Sequence, residues 1–252
     1  MKPVISLNDV YLADGNSIVL SDIFFQINPG EVVCLLGRNG SGKTTLLSLI
    51  SGIRPATSGE IMLFGQVTST ATIGPEIRRR MAIAPESPHF PAGLSVRQCA
   101  KFTRASHTEK WDQDYFEFLL NEFEIESQRK ANKLSRGQRT ALAIILALAR
   151  KPDLLVLDDP TLGLDAVARQ SLLGILIQVL AAGTSPTMLL ATHDPELVER
   201  MSDRILVMQK GRLIKQTSLE QLQLDAGGTL QHELMVLLDS QPDDLTKTGT
   251  DS

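Results

Sequence analysis

Residues Gly37 to Thr45 read GRNGSGKTT, and they follow the apolar run VVCLL at residues 32–36. The apolar run predicts a buried strand, and TLLSLI, which comes after the glycines, has the apolar spacing of a helix. Glycines let the backbone curl so that successive N–H groups point into one concavity, and the following helix aims its N-terminal amides at the same place. This order of residues is the phosphate-binding loop pattern G-x-x-x-x-G-K-[ST]. The stretch therefore predicts a nucleoside triphosphate site.

Every position of this loop is a candidate ligand-binding residue. Lys43 adds a point charge for the β- and γ-phosphates, and Thr44 offers a hydroxyl to Mg²⁺. The backbone that would surround the phosphates belongs to the whole loop: Gly37, Arg38, Asn39, Gly40, Ser41, Gly42, Lys43, Thr44 and Thr45. A glycine-rich turn with a chance Lys-Thr pair is the alternative, and the strand and helix patterns on either side argue against it.

The composition is that of an ordinary globular protein. The 252 residues are 42% hydrophobic and carry a net charge of −4, which allows a sizeable core and argues against a nucleic-acid partner. Cys34 and Cys99 do not suggest a disulfide framework, and we expect both to be buried thiols in a reducing compartment. The N-terminus lacks the apolar stretch of a signal peptide, and no apolar run reaches the roughly 18 residues of a membrane span. We therefore expect a cytoplasmic protein whose membrane connection runs through a partner.

The first part of the chain is rich in predicted strands. Residues 4–12 and 18–27 predict two strands joined by a turn at Gly15, and shorter strands are expected at 61–64 and 81–84. Just before the last of these, the triple arginine at residues 78–80 is either a phosphate patch or a solvated loop or helix end, and the second reading is preferred.

From about residue 87 to about residue 151 the pattern is helical. Ser95 is a suitable cap for a helix that ends at Phe102, residues 111–123 predict a helix rich in aromatics, and residues 137–150 predict one rich in alanine and leucine. Because strand–helix alternation resumes afterwards, the block 87–151 is predicted to be a helical subdomain inserted into an α/β core.

The remainder of the chain alternates between predicted strands and helices. The strands are expected at 154–157, 187–191, 205–209 and 212–215, and the helices at 166–181, 195–201, 218–224 and 230–238. We expect residues 1–220 to form the main domain, 221–240 a short C-terminal helical extension and 241–252 a disordered polar tail.

Two further motifs carry chemistry. The apolar run 154–157 ends in Asp158 and Asp159, and a parallel strand buried on both faces would deliver these acids to the mouth of the sheet, where ligands bind. After a phosphate loop this predicts that Asp158 holds Mg²⁺, directly or through water. The second motif, LSRGQ at residues 134–138, opens the alanine-rich helix with Ser135 as its cap, which requires no function by itself.

Taken together, the motifs resemble those of the ATP-binding cassette (ABC) ATPases. The phosphate loop, LSRGQ, LVLDDP, the turn Gly163-Leu164-Asp165 and Thr192-His193-Asp194 occur in the order typical of that family. The resemblance covers about residues 3–220, and LSxGQ is its most specific element. It implies an α/β P-loop NTPase core with a mixed sheet, an N-terminal antiparallel β portion and an inserted helical subdomain.

The resemblance also implies how ATP and Mg²⁺ would be bound. In that family two cassettes dimerise head to tail, so Ser135, Gly137 and Gln138 would contact the γ-phosphate held by the partner's loop. Asp165 matches the loop that communicates across the dimer, and it is equally an ordinary helix cap. His193 matches a switch histidine that touches the γ-phosphate, although a lone histidine is more often structural.

Four positions depart from the family pattern or leave a choice open. Asp159 replaces the glutamate that orients the attacking water and reaches roughly 1.5 Å less far, so slow turnover and a long-lived ATP-bound dimer are expected. Glu86 replaces a glutamine that contacts Mg²⁺ and the water, and it adds a negative charge. Arg136 replaces a glycine and either reaches a phosphate across the dimer or points to solvent. Tyr11 either stacks on the base or faces the sheet's core.

Three functions compete. A different phosphate-loop enzyme, such as a small-molecule kinase, leaves LSRGQ and Thr192-His193 unexplained. A soluble cassette ATPase acting as a slow switch is disfavoured because the short separation between Thr45 and Ser135 leaves no room for the long coiled coil of chromosome-type cassettes. The third is a transporter subunit, whose segment 86–102, with Phe90, Leu94 and Val96 expected to be exposed, would receive a short helix from a membrane subunit.

We therefore expect an ATP-hydrolysing subunit of an ABC transporter. It would pair with a second copy or a paralogous cassette and with separate transmembrane permease subunits, on the inner face of the cell membrane. The absence of a long C-terminal regulatory domain favours export over import.

Overall fold

The computed structural model describes residues 2–68, 73–105, 110–182, 186–225 and 229–239. The strands are β1 (Ile5–Asp14), β2 (Ser17–Ile27), β3 (Val32–Leu36), β4 (Ser58–Leu63), β5 (Gln66–Val67), β6 (Met81–Ala84), β7 (Leu154–Asp158), β8 (Thr187–Thr192), β9 (Arg204–Gln209) and β10 (Arg212–Ser218). The helices are α1 (Lys43–Ile50), α2 (Pro75–Arg80), α3 (Val96–Ala105), α4 (Gln113–Glu122), α5 (Arg136–Leu148), α6 (Ala166–Ala181), α7 (Pro195–Met201), α8 (Leu219–Asp225) and α9 (Leu230–Asp239). The chain forms two compact units, one made of the residues up to Ile73 and from Leu189 onwards, the other of Gly74–Met188.

The first unit contains an antiparallel sheet with the strand order β2-β1-β4-β5. Ile5 pairs with Ile27 on one side and with Leu63 on the other, and all three side chains are buried. The predicted turn at Gly15 is confirmed, because this glycine has a φ of 59°, which a side chain would disfavour.

The first unit also holds the strands β10-β9-β3-β8 of a mixed sheet. β9 runs parallel to β3, with Leu35 beside Leu206, and antiparallel to β10. All five residues of β3 are buried, which explains why its sequence is apolar without alternation. α7 packs against β3 and α9, and α8 packs against β10 and α9. The predicted α/β class, with a mixed sheet and an antiparallel sheet, is confirmed.

The second unit is built on the parallel pair β6 and β7, in which Met81 lies beside Leu154. α5 packs against β6, α3 and α4, and its residues from Thr140 to Leu148 are buried. Arg150, just after α5, donates from Nη2 to the carbonyl oxygens of Arg78 at 2.7 Å and Met81 at 2.8 Å. Burial lowers the pKa of this guanidinium to about 10.

Some predicted bounds are confirmed, and others differ by up to three residues. The strand at 81–84 and the helices at 166–181 and 195–201 have the predicted bounds. β5 and a short 3₁₀ helix at Ala131–Lys133 were not predicted, and β10 extends to Ser218 instead of ending at 215. The triple arginine is exposed and forms the last turn of α2, as its preferred reading stated.

The predicted burial of the two cysteines is confirmed, whereas the predicted exposure of Val96 is wrong. Cys34 and Cys99 are buried thiols. Val96 is 0% exposed because it begins the buried face of α3, together with Cys99 and Ala100 at helical spacing. Phe90, which was expected to be exposed like Val96, is half-buried, as is Leu94.

The domain bounds predicted from the sequence remain predictions. The block 87–151 falls within the second unit, which also contains β6, β7 and α6. α9 lies in the expected extension 221–240, and the tail 241–252 lies outside the described residues. Within the described ranges, no helix has both the length and the apolar character that a bilayer span requires.

Candidate nucleotide-binding site

Two glycines of the phosphate loop of the first unit, Gly37 and Gly42, lie where a side chain would be strained. Gly42 caps α1 with a φ of 108°, and a Cβ there would lie 2.8 Å from the Met208 side chain and 3.0 Å from that of Leu20. A Cβ on Gly37 would lie 2.5 Å from the Met208 carbonyl oxygen. The loop is therefore packed against β9 and β2 so closely that its backbone is fixed.

The turn between β9 and β10 supports this loop from the side. The Gly211 N–H donates to the carbonyl oxygen of Ser41 at 2.9 Å, and the Gly211 carbonyl accepts from the Ser21 N–H at 2.9 Å. A Cβ on Gly211 would lie 2.2 Å from the Val19 carbonyl oxygen, so this position also requires glycine. This support was not predicted from the sequence, although the Lys210-Gly211 dipeptide between two predicted strands indicates a tight turn there.

Polar groups suited to an anion line the inside of the loop. The Lys43 side chain is buried, and its Nζ donates to the carbonyl oxygens of Gly37 at 2.7 Å and Arg38 at 3.3 Å, which places the ammonium within the curve of the loop. Among the described residues, the buried Ser41 Oγ has no hydrogen-bond partner. α1 has no acidic side chain in its first turn, where Thr44 is exposed, so its positive end is not offset locally. These features fit a bound triphosphate.

His193 lies at the end of β8, the neighbour of β3 in the sheet of the first unit. Thr192, just before it, is buried, and its Oγ1 accepts from the Asp194 N–H at 3.0 Å. Asp194 in turn caps α7 by accepting from the Glu196 N–H at 3.1 Å. The His193 ring is therefore exposed, while the hydrogen bonds of Thr192 and Asp194 fix the backbone on either side of it.

Tyr11 lies on β1 and is half-buried, so its side chain is partly accessible to solvent. Its carbonyl oxygen accepts from the Thr57 N–H at 2.9 Å. The proposed stacking of this ring on the nucleotide base remains a prediction.

The two carboxylates of the second unit follow β7 directly. Asp158 and Asp159 are each 5% exposed, which is unusual for acidic side chains. Asp159 has a φ of 43°, and its carbonyl oxygen accepts from the Leu162 N–H at 3.0 Å, so the chain turns sharply as it leaves the strand. Aspartate tolerates this left-handed conformation better than most residues.

The start of α5 is an exposed, capped helix N-terminus. The Gln138 N–H donates to Ser135 Oγ at 3.1 Å, and the Ser135 N–H donates to Gln138 Oε1 at 3.3 Å, which forms a capping box. Ser135 is exposed, and its hydroxyl hydrogen is still available to donate to a ligand. A Cβ on Gly137 would lie 2.5 Å from the Gly163 carbonyl oxygen, so the LSRGQ glycine is required by close packing.

Asp165, Glu86 and Arg136 complete the set of predicted residues in the second unit. Asp165 caps α6 by accepting from the Ala168 N–H at 2.9 Å, which is the ordinary role considered for it. Glu86 lies in the loop after β6 and is partly exposed. Arg136 is more exposed, and its guanidinium faces the Glu86 carboxylate. No sequence pattern indicates that pairing.

Each unit contains donors of the kinds that a magnesium ion shared with phosphate takes. Among the described residues, no three His, Cys, Asp or Glu side chains gather into a metal cluster. Mg²⁺ in phosphoryl-transfer sites takes few protein ligands, because phosphate and water oxygens supply the others. A buried carboxylate such as Asp158 and an exposed hydroxyl such as Thr44 are suitable ligands of that kind.

The fold and these residues define a phosphate-loop nucleotide-binding protein with a cassette-type signature helix. The family model described as ABC transporter matches residues 20–162. The ABC transporter ATP-binding protein YtrB of Bacillus subtilis (strain 168) is 34% identical over 209 residues, which cover 83% of this chain and 70% of that protein. The chain therefore belongs to the ABC transporter family, as an ATP-binding cassette.

Other relatives differ in the transport named for them. The spermidine/putrescine import ATP-binding protein PotA of Legionella pneumophila (strain Paris) is 33% identical over 215 residues, and this chain spans 58% of its length. The Nod factor export ATP-binding protein I of Cupriavidus metallidurans (strain ATCC 43123 / DSM 2839 / NBRC 102507 / CH34) is 31% identical over 220 residues, with 85% of this chain and 71% of that protein covered.

A solved structure of the ATP-binding subunit of an ABC transporter has the same fold. It superposes with a TM-score of 0.81 at 26% sequence identity, over 94% of this chain and 100% of that chain. The ATP-binding cassette MJ0796, solved as a dimer bound to ADP and Pi, superposes with a TM-score of 0.75 at 22% identity, over 85% of this chain and 98% of that chain, which supports the fold.

Proposed function

We propose that this chain is the ATP-binding and hydrolysing subunit of an ABC transporter that acts through separate membrane permease subunits. One observation supports the proposal: the chain has two elements suited to bind an anion, the phosphate loop with the buried Lys43, and the exposed capped helix start at Ser135. A single nucleotide needs only one such loop. The second element is explained if it meets the nucleotide of another subunit.

The proposed assembly is a head-to-tail dimer that closes on ATP. Each nucleotide would lie between the loop of one subunit and Ser135, Gly137 and Gln138 of the other, a second copy or a paralogue. Because ATP would bind the closed pair better than the open one, ATP binding favours closure and hydrolysis favours opening.

We assign the catalytic roles as follows. Lys43 and His193 neutralise charge on the γ-phosphate, and Asp159 orients the attacking water. Mg²⁺ would be held by Thr44 and Asp158, with Glu86 as a further candidate, and it would supply charge neutralisation. Turnover is slow because the Asp159 side chain is one methylene shorter than glutamate.

The membrane partner would contact the second unit beside the loop that follows β6. A groove of about 230 Å³ lies there; apolar side chains such as Phe90, Ala143 and Leu146 line part of it, and His89, Thr103 and Arg150 add polar groups. Such a groove suits the apolar face of a short helix. The cassette would thereby be held at the inner face of the cell membrane. Export is the proposed direction, on the resemblance to single-cassette exporters alone.

Light scattering of the purified chain, with and without MgATP, tests the ATP-dependent dimer of this proposal. Asp159→Asn is expected to form a stable dimer with MgATP, and Lys43→Ala is expected to remain a monomer because the loop loses its cation. An unchanged mass for Asp159→Asn at saturating ATP would contradict the dimer.

The membrane part is tested by sequencing the reading frames beside this gene and co-expressing the chain with any multi-span protein that they encode. Co-purification in detergent, lost when Phe90→Asp places a charge in the groove, is the expected result. A chain that hydrolyses ATP but binds no such protein would favour the alternative of a soluble ATPase acting as a slow switch.

A further inference from the structure

Two charged residues of the second unit that are distant in sequence lie together in the structure. Arg136 Nη2 is 3.9 Å from Glu86 Oε1, and the two side chains are 57% and 39% exposed. Glu86 follows β6, whereas Arg136 is the first residue of α5. By resemblance, each replaces an uncharged residue, glutamine in one case and glycine in the other. Two charges of opposite sign at such positions compensate each other.

The Arg136 side chain is held in place by packing as well as by charge. A Cβ built on Gly163, which has a φ of 81°, would lie 3.2 Å from both Cγ and Cδ of Arg136. The aliphatic stem therefore lies directly on the turn that precedes Asp165. A guanidinium fixed by its own stem loses less side-chain entropy when it pairs than a freely moving one does.

Among the basic side chains that line the cavity around Glu86, Arg136 is the one paired with its carboxylate. Both residues line a cavity of about 410 Å³, together with Ser87, Pro88, His89, Phe90, Asn132 and Arg139. The other arginine, Arg139, donates from Nη1 to the Leu134 carbonyl oxygen at 3.1 Å. The His89 ring lies 2.9 Å from the Ser87 carbonyl oxygen. Glu86 is the one acidic residue in this lining.

We propose that Arg136 is a positioning residue for Glu86, which holds that carboxylate toward α5 and offsets its charge. The added negative charge at Glu86 would otherwise oppose the γ-phosphate. The functional consequence of this pairing rests on the proposed function. Because Arg136 is adjacent to Ser135, the ion pair would link the loop after β6 to the helix start that meets the partner's nucleotide.

The experiment is a double-mutant cycle with Arg136→Gln, Glu86→Gln and the double variant. Glutamine keeps much of the stem on Gly163 and removes the charge. Arg136→Gln is expected to lower kcat about two- to fivefold at low ionic strength, the range of an exposed pair. The same change in the Glu86→Gln background is expected to have no further effect. In 1 M salt the difference should largely disappear, because exposed charges are then screened.

Two matched variants separate pairing from general charge. Arg139→Gln removes the same charge from the same cavity and should leave kcat within its error. Arg136→Lys keeps the charge and should restore most of the lost rate. Thermal unfolding of the nucleotide-free chain gives a second readout, in which the cycle should show a coupling of about 1–3 °C that fades with salt.

Additive effects of the two substitutions in both readouts would overturn the proposal, as would an equal loss in Arg139→Gln. A wild-type chain that neither binds nor hydrolyses ATP would overturn the proposed function instead. In that case the nucleotide-free unfolding cycle still decides whether Arg136 and Glu86 are coupled.

Discussion

Asp159→Glu is the substitution that most directly tests why turnover should be slow. Asp159 is 5% exposed and follows β7 without an intervening residue, so its carboxylate has little freedom to adjust. The added methylene moves the carboxylate outward by roughly 1.5 Å. Since a misplacement of about 1 Å can cost about a hundredfold in rate, kcat is expected to rise by about 10- to 100-fold.

The same substitution should destabilise the fold slightly. Asp159 has a φ of 43°, a conformation that aspartate tolerates better than glutamate, and the longer side chain must fit into a buried site. We expect a loss of about 0.5–1.5 kcal/mol in the free energy of unfolding, which lowers Tm by about 1–5 °C. A higher rate together with a lower Tm would separate the local effect on catalysis from a general improvement of the protein.

The assay is steady-state phosphate release at saturating MgATP for the wild type and Asp159→Glu, with Asp159→Asn as the control that removes the charge. Asp159→Asn should be the slowest of the three. The reasoning is refuted if Asp159→Glu folds and binds ATP like the wild type and yet shows no gain in kcat.

Three further predictions concern stability and reactivity. Arg150→Met removes two hydrogen bonds from a charged donor and should lower the free energy of unfolding by about 1.5–3 kcal/mol in urea titrations; a loss no larger than that of the exposed Arg79→Met would contradict this. Burial tends to raise the pKa of Asp153, but hydrogen bonds from Lys110 and Arg80, each 2.6 Å long, outweigh it and lower that pKa. The carboxylate therefore stabilises the fold above its unfolded pKa, and the stability advantage over Asp153→Asn should be present at pH 7 and be lost as pH falls through the lowered pKa; a pH-independent difference would count against it. Burial raises the pKa of Cys34 to about 12, so this thiol should react with a thiol reagent at pH 8 only after unfolding, and fast labelling of the folded chain would show the site to be open.

Much of the fold could be predicted because local sequence and tertiary environment agree. The run VVCLL forms β3 with the predicted bounds. A strand buried on both faces is apolar at every position, so its first and last residues are easy to recognise in the sequence. α6 and α7 begin where predicted because Asp165 and Asp194 cap them, and Pro195 suits the first turn of α7. The phosphate loop was recognisable for a similar reason, since close packing leaves no room for a Cβ at Gly37 or Gly42.

The features that sequence reasoning missed depend on contacts between distant residues. β5 has two residues, too few for a pattern, and exists because it pairs with β4. Val96 was expected to be exposed like the loop before it, although its spacing to Cys99 and Ala100 predicts a shared buried helix face. The approach of Arg136 to Glu86 depends on α5 packing against β6, which no local pattern encodes.

The central claim is that each nucleotide site is completed by the signature of a second subunit, and mixing two inactive variants tests it most directly. Lys43→Ala disables the loop, and Ser135→Arg blocks the signature, so each variant alone should neither dimerise with MgATP nor hydrolyse it. In a mixed dimer one site keeps both intact elements. Because neither variant pairs with itself, every dimer in an equimolar mixture is mixed and keeps one intact site of two, so the mixture is expected to recover roughly half of wild-type hydrolysis. A mixture of two folded variants that stays inactive and monomeric would contradict the account.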